Sequence, residues 1–208
     1  VNDVCAGGSC RPGTPLACDD GNPCTADACD PSLGCVRSPD FNACPVATVA
    51  GKKITLKTKA SNTKKNTLTL SLKGQFAAPS PEEVPTIAGA SLRIRDAAGQ
   101  DVTFNLPSGS WKAKGSKFTY KDGRGRNGPC KKAVFKAGKS IQATCKGEAI
   151  QLGPSLLEPV LIILRTGNSF YCGAFGGEVS QNGDGIFIAK GAEAPGECAA
   201  ALDLPPQQ

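Results

Sequence analysis

Three patterns in the 208-residue chain carry residue types that do chemistry elsewhere. Ser61-Asn62-Thr63-Lys64 has the SxxK spacing, in which a lysine one helical turn from a serine takes the nucleophile's proton. That relation needs a helix. The segment is polar and lies between two alternating stretches, so it reads as a hairpin turn. Gly123-Arg124-Gly125-Arg126-Asn127-Gly128 fits GxGxxG by letter, but the fingerprint works only where its glycines open a helix that receives a pyrophosphate. Here Pro129-Cys130 and a strand pattern follow, so the segment reads as a loop between strands. Glu82, Glu83, Glu148, Glu158 and Glu178 are of the type that works in pairs on glycosides, but they are scattered along the chain. The chain has no histidine, which excludes a Ser-His-Asp triad, a Cys-His pair, His-ligated zinc and an imidazole switch. No enzymatic activity, no catalytic residue and no organic cofactor is expected.

Two clusters suit binding. Asp19, Asp20, Asn22 and Asp27 gather oxygen ligands around Gly21, which is either a calcium site or a disulfide-pinned Asx turn. Lys52, Lys53, Lys64, Lys65, Arg124 and Arg126, with further lysines at 57, 59, 112, 114 and 117, give either a solvated charged face or a site for a matrix or cell-surface polyanion. Trp111, Phe118 and Tyr120 lie near these charges without the signature of an RNA-binding or oligonucleotide fold, and no nucleic-acid partner is expected.

These clusters sit in two chemically different segments. Residues 1–45 hold seven of the eleven cysteines, six acids against two arginines, and six large aliphatic or aromatic residues. Such a segment cannot bury a core, and cross-links must hold it. Residues 46–208 carry 22 basic against 12 acidic residues and most of the Val, Ile, Leu and Phe. The absence of methionine and the start at Val1 suggest a processed product. The cysteine density suggests an oxidising, extracellular compartment. The longest wholly apolar run, Val160 to Leu164, is far short of the roughly 20 residues a spanning helix requires.

The cysteines repeat. Cys5, Cys10 and Cys18 are followed at similar spacing by Cys29, Cys35 and Cys44, and Asp3-Val4-Cys5 parallels Asp27-Ala28-Cys29. The full unit runs from Cys18-Asp19-Asp20-Gly21-Asn22-Pro23-Cys24 through Cys29 to Gly34-Cys35. This stretch resembles the short cysteine-rich repeat of slime-mould extracellular-matrix proteins, which recurs in secreted surface proteins of myxobacteria. The likeness covers residues 18–44 well and 1–17 as a partial copy. It implies a stalk or matrix role, with Cys18, Cys24, Cys29 and Cys35 bonded within the repeat. The basic segment has a looser likeness to domains that follow such repeats in secreted bacterial proteins, which implies no activity.

From Lys52 on, apolar residues alternate with polar ones: Ile54 and Leu56, then Leu68, Leu70 and Leu72, Leu92 and Ile94, Phe104 and Leu106. Further strands are expected at 117–121, 132–136, 140–145, 159–165, 169–174, 178–180 and 186–189. Nine to eleven strands with frequent turn signals predict an all-β fold, an antiparallel β-sandwich with a barrel as the alternative, preceded by the small disulfide-rich segment. Cys130 with Cys145, and Cys172 with Cys198, flank hairpins and are expected to pair within this domain. The arm then keeps an odd cysteine. Cys5, Cys10 and Cys44 are the candidates for a bond between molecules or a free thiol. The expected function is a secreted structural protein that assembles head-to-tail with copies of itself into a fibre or surface matrix. The alternatives are a monomeric adhesive or glycan-binding domain and an accessory module of a hydrolase.

Overall fold

The computed structural model describes residues 4–6, 9–11, 18, 19, 25–30, 32–39, 46–195 and 198. They fall into two compact units, one within residues 1–44 and one within residues 45–203. In the smaller unit, β1 (Val4–Ala6) pairs antiparallel with β2 (Ser9–Arg11), and β3 (Thr25–Asp30) with β4 (Gly34–Pro39). The β3–β4 turn is fixed by its own residues. Asp30 Oδ1 accepts the amides of Ser32 at 2.7 Å and Leu33 at 2.8 Å, and Gly34 takes φ 80°, which a side chain would resist. Cys18 and Cys35, 17 residues apart, are disulfide-bonded. Closing a loop of that size removes about 3 kcal/mol of freedom from the unfolded chain, a large share of what so small a core can supply.

The larger unit begins with β5 (Val46–Thr48), β6 (Gly51–Lys57), β7 (Thr67–Lys73), β8 (Ala90–Arg95) and β9 (Asp101–Leu106). It continues with β10 (Trp111–Lys114), β11 (Lys117–Lys121), β12 (Cys130–Lys136) and β13 (Ser140–Lys146). The last four strands are β14 (Val160–Thr166), β15 (Ser169–Phe175), β16 (Val179–Gly183) and β17 (Ile186–Ala192). One helical turn, α1 (Pro85–Ala88), and three short 3-10 turns complete it among the described residues. An eight-stranded sheet runs in the order β10-β11-β12-β13-β7-β6-β17-β16, and a five-stranded sheet β5-β15-β14-β8-β9. Every pairing is antiparallel except β5 with β15. The sheets form a sandwich and do not close into a barrel.

Alternation decides which side of each strand is buried. Ile54 and Leu56, Leu68, Leu70 and Leu72, Phe118 and Tyr120, and Ala133 and Phe135 fill the inner face of the large sheet. Leu92, Ile94, Ile162, Leu164, Tyr171 and Phe175 fill that of the small one. Rings meet across the gap, with Phe135 and Tyr171 centroids 5.0 Å apart. Two glycines set the closeness. A Cβ on Gly173 would meet Leu72 Cδ2 at 2.7 Å, and one on Gly51 would meet the Phe175 ring at 2.7 Å.

Three features depart from simple alternation. In β8, Ser91 and Arg93 are as buried as Leu92 and Ile94, so both faces of this strand are covered. The Arg93 guanidinium survives burial because Asp101 meets it bidentately, with Nε 2.8 and 2.9 Å from the two carboxylate oxygens and Nη2 also in contact. β5 is too short for any periodicity, and β10 presents two lysines in four residues, so neither shows in the hydrophobic pattern. Behind the β8–β9 turn, the buried Asp96 accepts Gln100 N, Gln100 Nε2 and Leu157 N, while Gln100 Oε1 accepts Gly153 N. This network ties the turn to the long connection before β14.

Gly173→Ala is expected to lower unfolding free energy by about 1–3 kcal/mol, through overpacking against Leu72. Gly74→Ala, whose Cβ would find only contacts at 3.7 Å, is expected to change it far less. Urea denaturation of both variants measures the difference.

Candidate functional site

The eight strands of the large sheet contain thirteen lysines and neither aspartate nor glutamate. Alternation turns eleven of these lysines away from the core: Lys53, Lys57 and Lys73, Lys112 and Lys114, Lys117 and Lys121, Lys132, Lys136, Lys146 and Lys190. All eleven are exposed, and among the described residues none forms an ion pair. The register then sets like charges side by side. Lys114 lies opposite Lys117, Lys117 opposite Lys136, Lys121 opposite Lys132, and Lys53 opposite Lys190. Directly opposed like charges cost about 0.2–1 kcal/mol each, so this face opposes the stability of its own sheet. A face that served solubility alone would mix signs.

The lysines are densest over β10–β12. There Lys112, Lys114, Lys117, Lys121 and Lys132 line an open groove of about 590 Å3 with Val134 in its lining. Ser110, also on the groove, accepts a 3.1 Å hydrogen bond from Asn127 Nδ2, which brings the 123–128 loop to its rim. That loop is wound around Asp122, whose Oδ1 accepts Arg126 N at 3.1 Å, whose Oδ2 accepts Asn127 N at 2.8 Å, and whose carbonyl accepts Gly125 N at 3.0 Å. Arg124 and Arg126 are thus exposed on a loop whose amides are held chiefly by the Asp122 carboxylate. The amide of Asn127 and, after it, those of Arg126 and Gly125 hold the Asp122 carboxyl below its ordinary value, against the opposing effect of burial.

Of the six residues singled out in the sequence as a polyanion site, the structure places Lys53 on this face, at the β6–β17 end. Lys52 sits at the bulge beside it, Lys64 and Lys65 in the 3-10 turn between β6 and β7, and Arg124 and Arg126 at the groove rim. The concentration at Lys112, Lys114, Lys117, Lys121, Lys132 and Lys136 comes from strand order, which brings three hairpin-linked strands together. Its only trace in the sequence is the period-two placement of lysine on each. Trp111, Phe118 and Tyr120, which the sequence set among the charges, point the other way into the core.

The remaining candidates are elsewhere. Lys64 and Ser61 of the SxxK pattern are both exposed, in the connection between β6 and β7. Glu83 is committed to the β14–β15 turn: burial raises its pKa, but hydrogen bonds from Ser169 Oγ at 2.7 Å and Asn168 N at 2.8 Å outweigh it, and the net shift is downward. Glu158 accepts Gly177 N at 2.9 Å, while Glu82, Glu148 and Glu178 are exposed. Asp27 faces Arg37 across the β3–β4 pair, with Nε 3.6 Å from Oδ1, and Asp19 is exposed. Asp20 and Asn22 lie outside the described residues.

Cys130 is bonded to Cys145 across the β12–β13 pair, and Cys172 to Cys198. In the arm, Cys29 is opposite Cys35, and its sulfur lies within 4.8 Å of those of Cys18 and Cys35. Cys24 and Cys44 lie outside the described residues. The β1–β2 register sets Cys5 directly opposite Cys10.

Two outcomes follow from this geometry. Salt screens the opposed lysines, so Tm is expected to rise by about 2–4 °C per kcal/mol relieved as chloride goes from low to near-molar, read by calorimetry. Because the Asp122 pKa is depressed in the folded state, its hold on the 123–128 loop is complete above the ordinary carboxylate range. It is lost as pH falls through the depressed value, and faster amide exchange at Arg126 and Asn127 in that acid window checks it.

Residues 17–39 match the family model described as the Dictyostelium (slime mold) repeat. No curated protein and no solved structure matches the chain. The segment from Cys18 to Pro39 is therefore similar to a cysteine-rich slime-mould repeat, and a β-sandwich follows it.

Proposed function

We propose that this is a secreted, non-enzymatic binding protein of the cell surface or extracellular matrix, which holds polyanions on the outer face of its large sheet. The observation that carries the reading is the set of eight strands with thirteen lysines and no carboxylate. Cross-strand repulsion is a standing cost that an anionic ligand would relieve, and the concave end over β10–β12 concentrates that field. Secretion is supported by the cysteine-rich repeat and by the disulfides. Among the described residues no helix is long and apolar enough to cross a membrane. On heparin resin the protein is expected to be retained and to elute with salt. Replacing Lys112, Lys114, Lys117, Lys121 and Lys132 by Gln is expected to move elution to markedly lower salt, and unchanged elution would reject the reading.

A second reading, head-to-tail assembly into a fibre or matrix, rests on a different observation. Eleven cysteines cannot pair completely among themselves, so at least one sulfur is either a free thiol or bonded outside this set, and this reading takes the second. The acidic arm and the basic sheet have the opposite charges that open-ended heterologous contacts use. A ladder on non-reducing electrophoresis that collapses on reduction is the expected outcome. A sharp monomer under both conditions removes the covalent form of assembly.

A further inference from the structure

The lysine face has an order that a diffuse basic patch lacks. Register links Lys114 to Lys117, Lys117 to Lys136, Lys136 to Ser140 and Ser140 to Lys73, one straight row across five strands. At about 4.8 Å between strands, this row spans about 19 Å perpendicular to the strands. Beside it runs a second row: Lys112, Thr119, Val134, Gln142, Ser71 and Lys53. Charges therefore crowd the β10–β12 end, and hydroxyl and amide groups continue the same lines across the middle of the sheet.

From this geometry, and resting on the polyanion reading above, we infer that the occupant is an extended acidic polysaccharide that lies across the strands along the Lys114–Lys117–Lys136 row. The chemistry of the face separates it from other polyanions. All five aromatics of the eight strands, Trp111, Phe118, Tyr120, Phe135 and Phe187, are buried in the core, so the face has nothing on which a nucleic-acid base can stack. The same lack removes the aromatic platform that neutral sugars use, which leaves charge as the source of affinity. No arginine lies on the eight strands, and lysine meets an anion as a hydrated point charge without the bidentate fork favoured for phosphate. No large apolar side chain is exposed there to enter a lipid layer; the exposed Ile87 and Leu157 lie outside the eight strands. Regularly spaced carboxylates or sulfates on a stiff chain match a row of ammonium groups. The sugar hydroxyls between them match Thr119, Ser140 and Gln142.

The arm of a second copy is a poorer occupant. Asp30 commits one carboxylate oxygen, Oδ1, to its own turn, and Asp27 faces Arg37.

The test uses the full chain and two triple variants with the same change in charge, Lys114→Gln/Lys117→Gln/Lys136→Gln in the row and Lys53→Gln/Lys57→Gln/Lys190→Gln at the far end. Calorimetric titration with polyuronate and heparin oligomers of increasing length reads affinity and its salt dependence, and melting curves verify that each variant folds. The row variant is expected to lose about tenfold in affinity, with a salt slope shallower by about 2–3, while the far-end variant loses far less. Affinity is expected to rise with oligomer length and level off once the oligomer spans the row. Equal losses in both variants would overturn the ordered row and leave the polyanion reading standing. Binding to single-stranded DNA or anionic phospholipid vesicles as tight as to the oligosaccharides would overturn the assignment of the ligand. No binding to any of these probes would remove the parent reading as well.

Discussion

The inner face of the eight-stranded sheet must hold together what its outer face pushes apart. Each strand from β10 to β17 in that sheet contributes apolar residues to one side, and the buried Leu68, Leu70 and Leu72 of β7 form the densest such column. Burying one such side chain is worth about 1.5–3 kcal/mol, against about 0.2–1 kcal/mol for one opposed lysine pair. The balance favours the sheet only while packing against the small sheet is close. Gly51 and Gly173 matter for that reason, since they let Phe175 and Leu72 reach the opposite backbone.

Much of this sheet was legible in the sequence because its two faces differ so sharply. Leucine alternating with threonine in β7, and lysine with phenylalanine or tyrosine in β11, assign strand and inner side at once. Legibility stopped where a residue's environment depends on what lies across the sheet. Arg93 occupies an outward position by alternation, yet it is buried, because Asp101 on the neighbouring strand satisfies it. The alignment of lysines on neighbouring strands stayed hidden for the same reason. Lys52 and Lys53 catch the eye as neighbours in sequence, while Lys114, Lys117 and Lys136 become neighbours only once β10, β11 and β12 are in register.

The arm shows the opposite limit. Its repeat was readable from cysteine spacing, and the match over residues 17–39 agrees with that reading. Its internal order depends on a few specific devices: the Cys18–Cys35 bond, the Asp30 turn and the Asp27–Arg37 pair. Parity predicts an unmatched sulfur, while the backbone register of β1 and β2 sets position 5 opposite position 10.

A face that costs stability when empty links binding to folding. An anion that binds only the folded sheet adds RT ln(1 + [L]/Kd), about 2.7 kcal/mol at a hundredfold excess over Kd, and part of that gain is relief of lysine repulsion already present in the free protein. The same lysines on a flexible segment would move apart and store no such repulsion. On the sandwich they are held at strand spacing by hydrogen bonds and by the core beneath them, so the entropy of aligning them is lost on folding and not again on binding. Pre-organisation of this kind favours ligands whose own charges are spaced along a stiff chain, because a flexible polyanion must still lose its freedom to match the rows. The disulfide between Cys130 and Cys145 reinforces the alignment, since it ties β12, the strand of Lys132 and Lys136, to β13. Under the proposed function, affinity and selectivity for an extended acidic chain would share one origin, a rigid apolar layer that fixes the spacing of the charges above it.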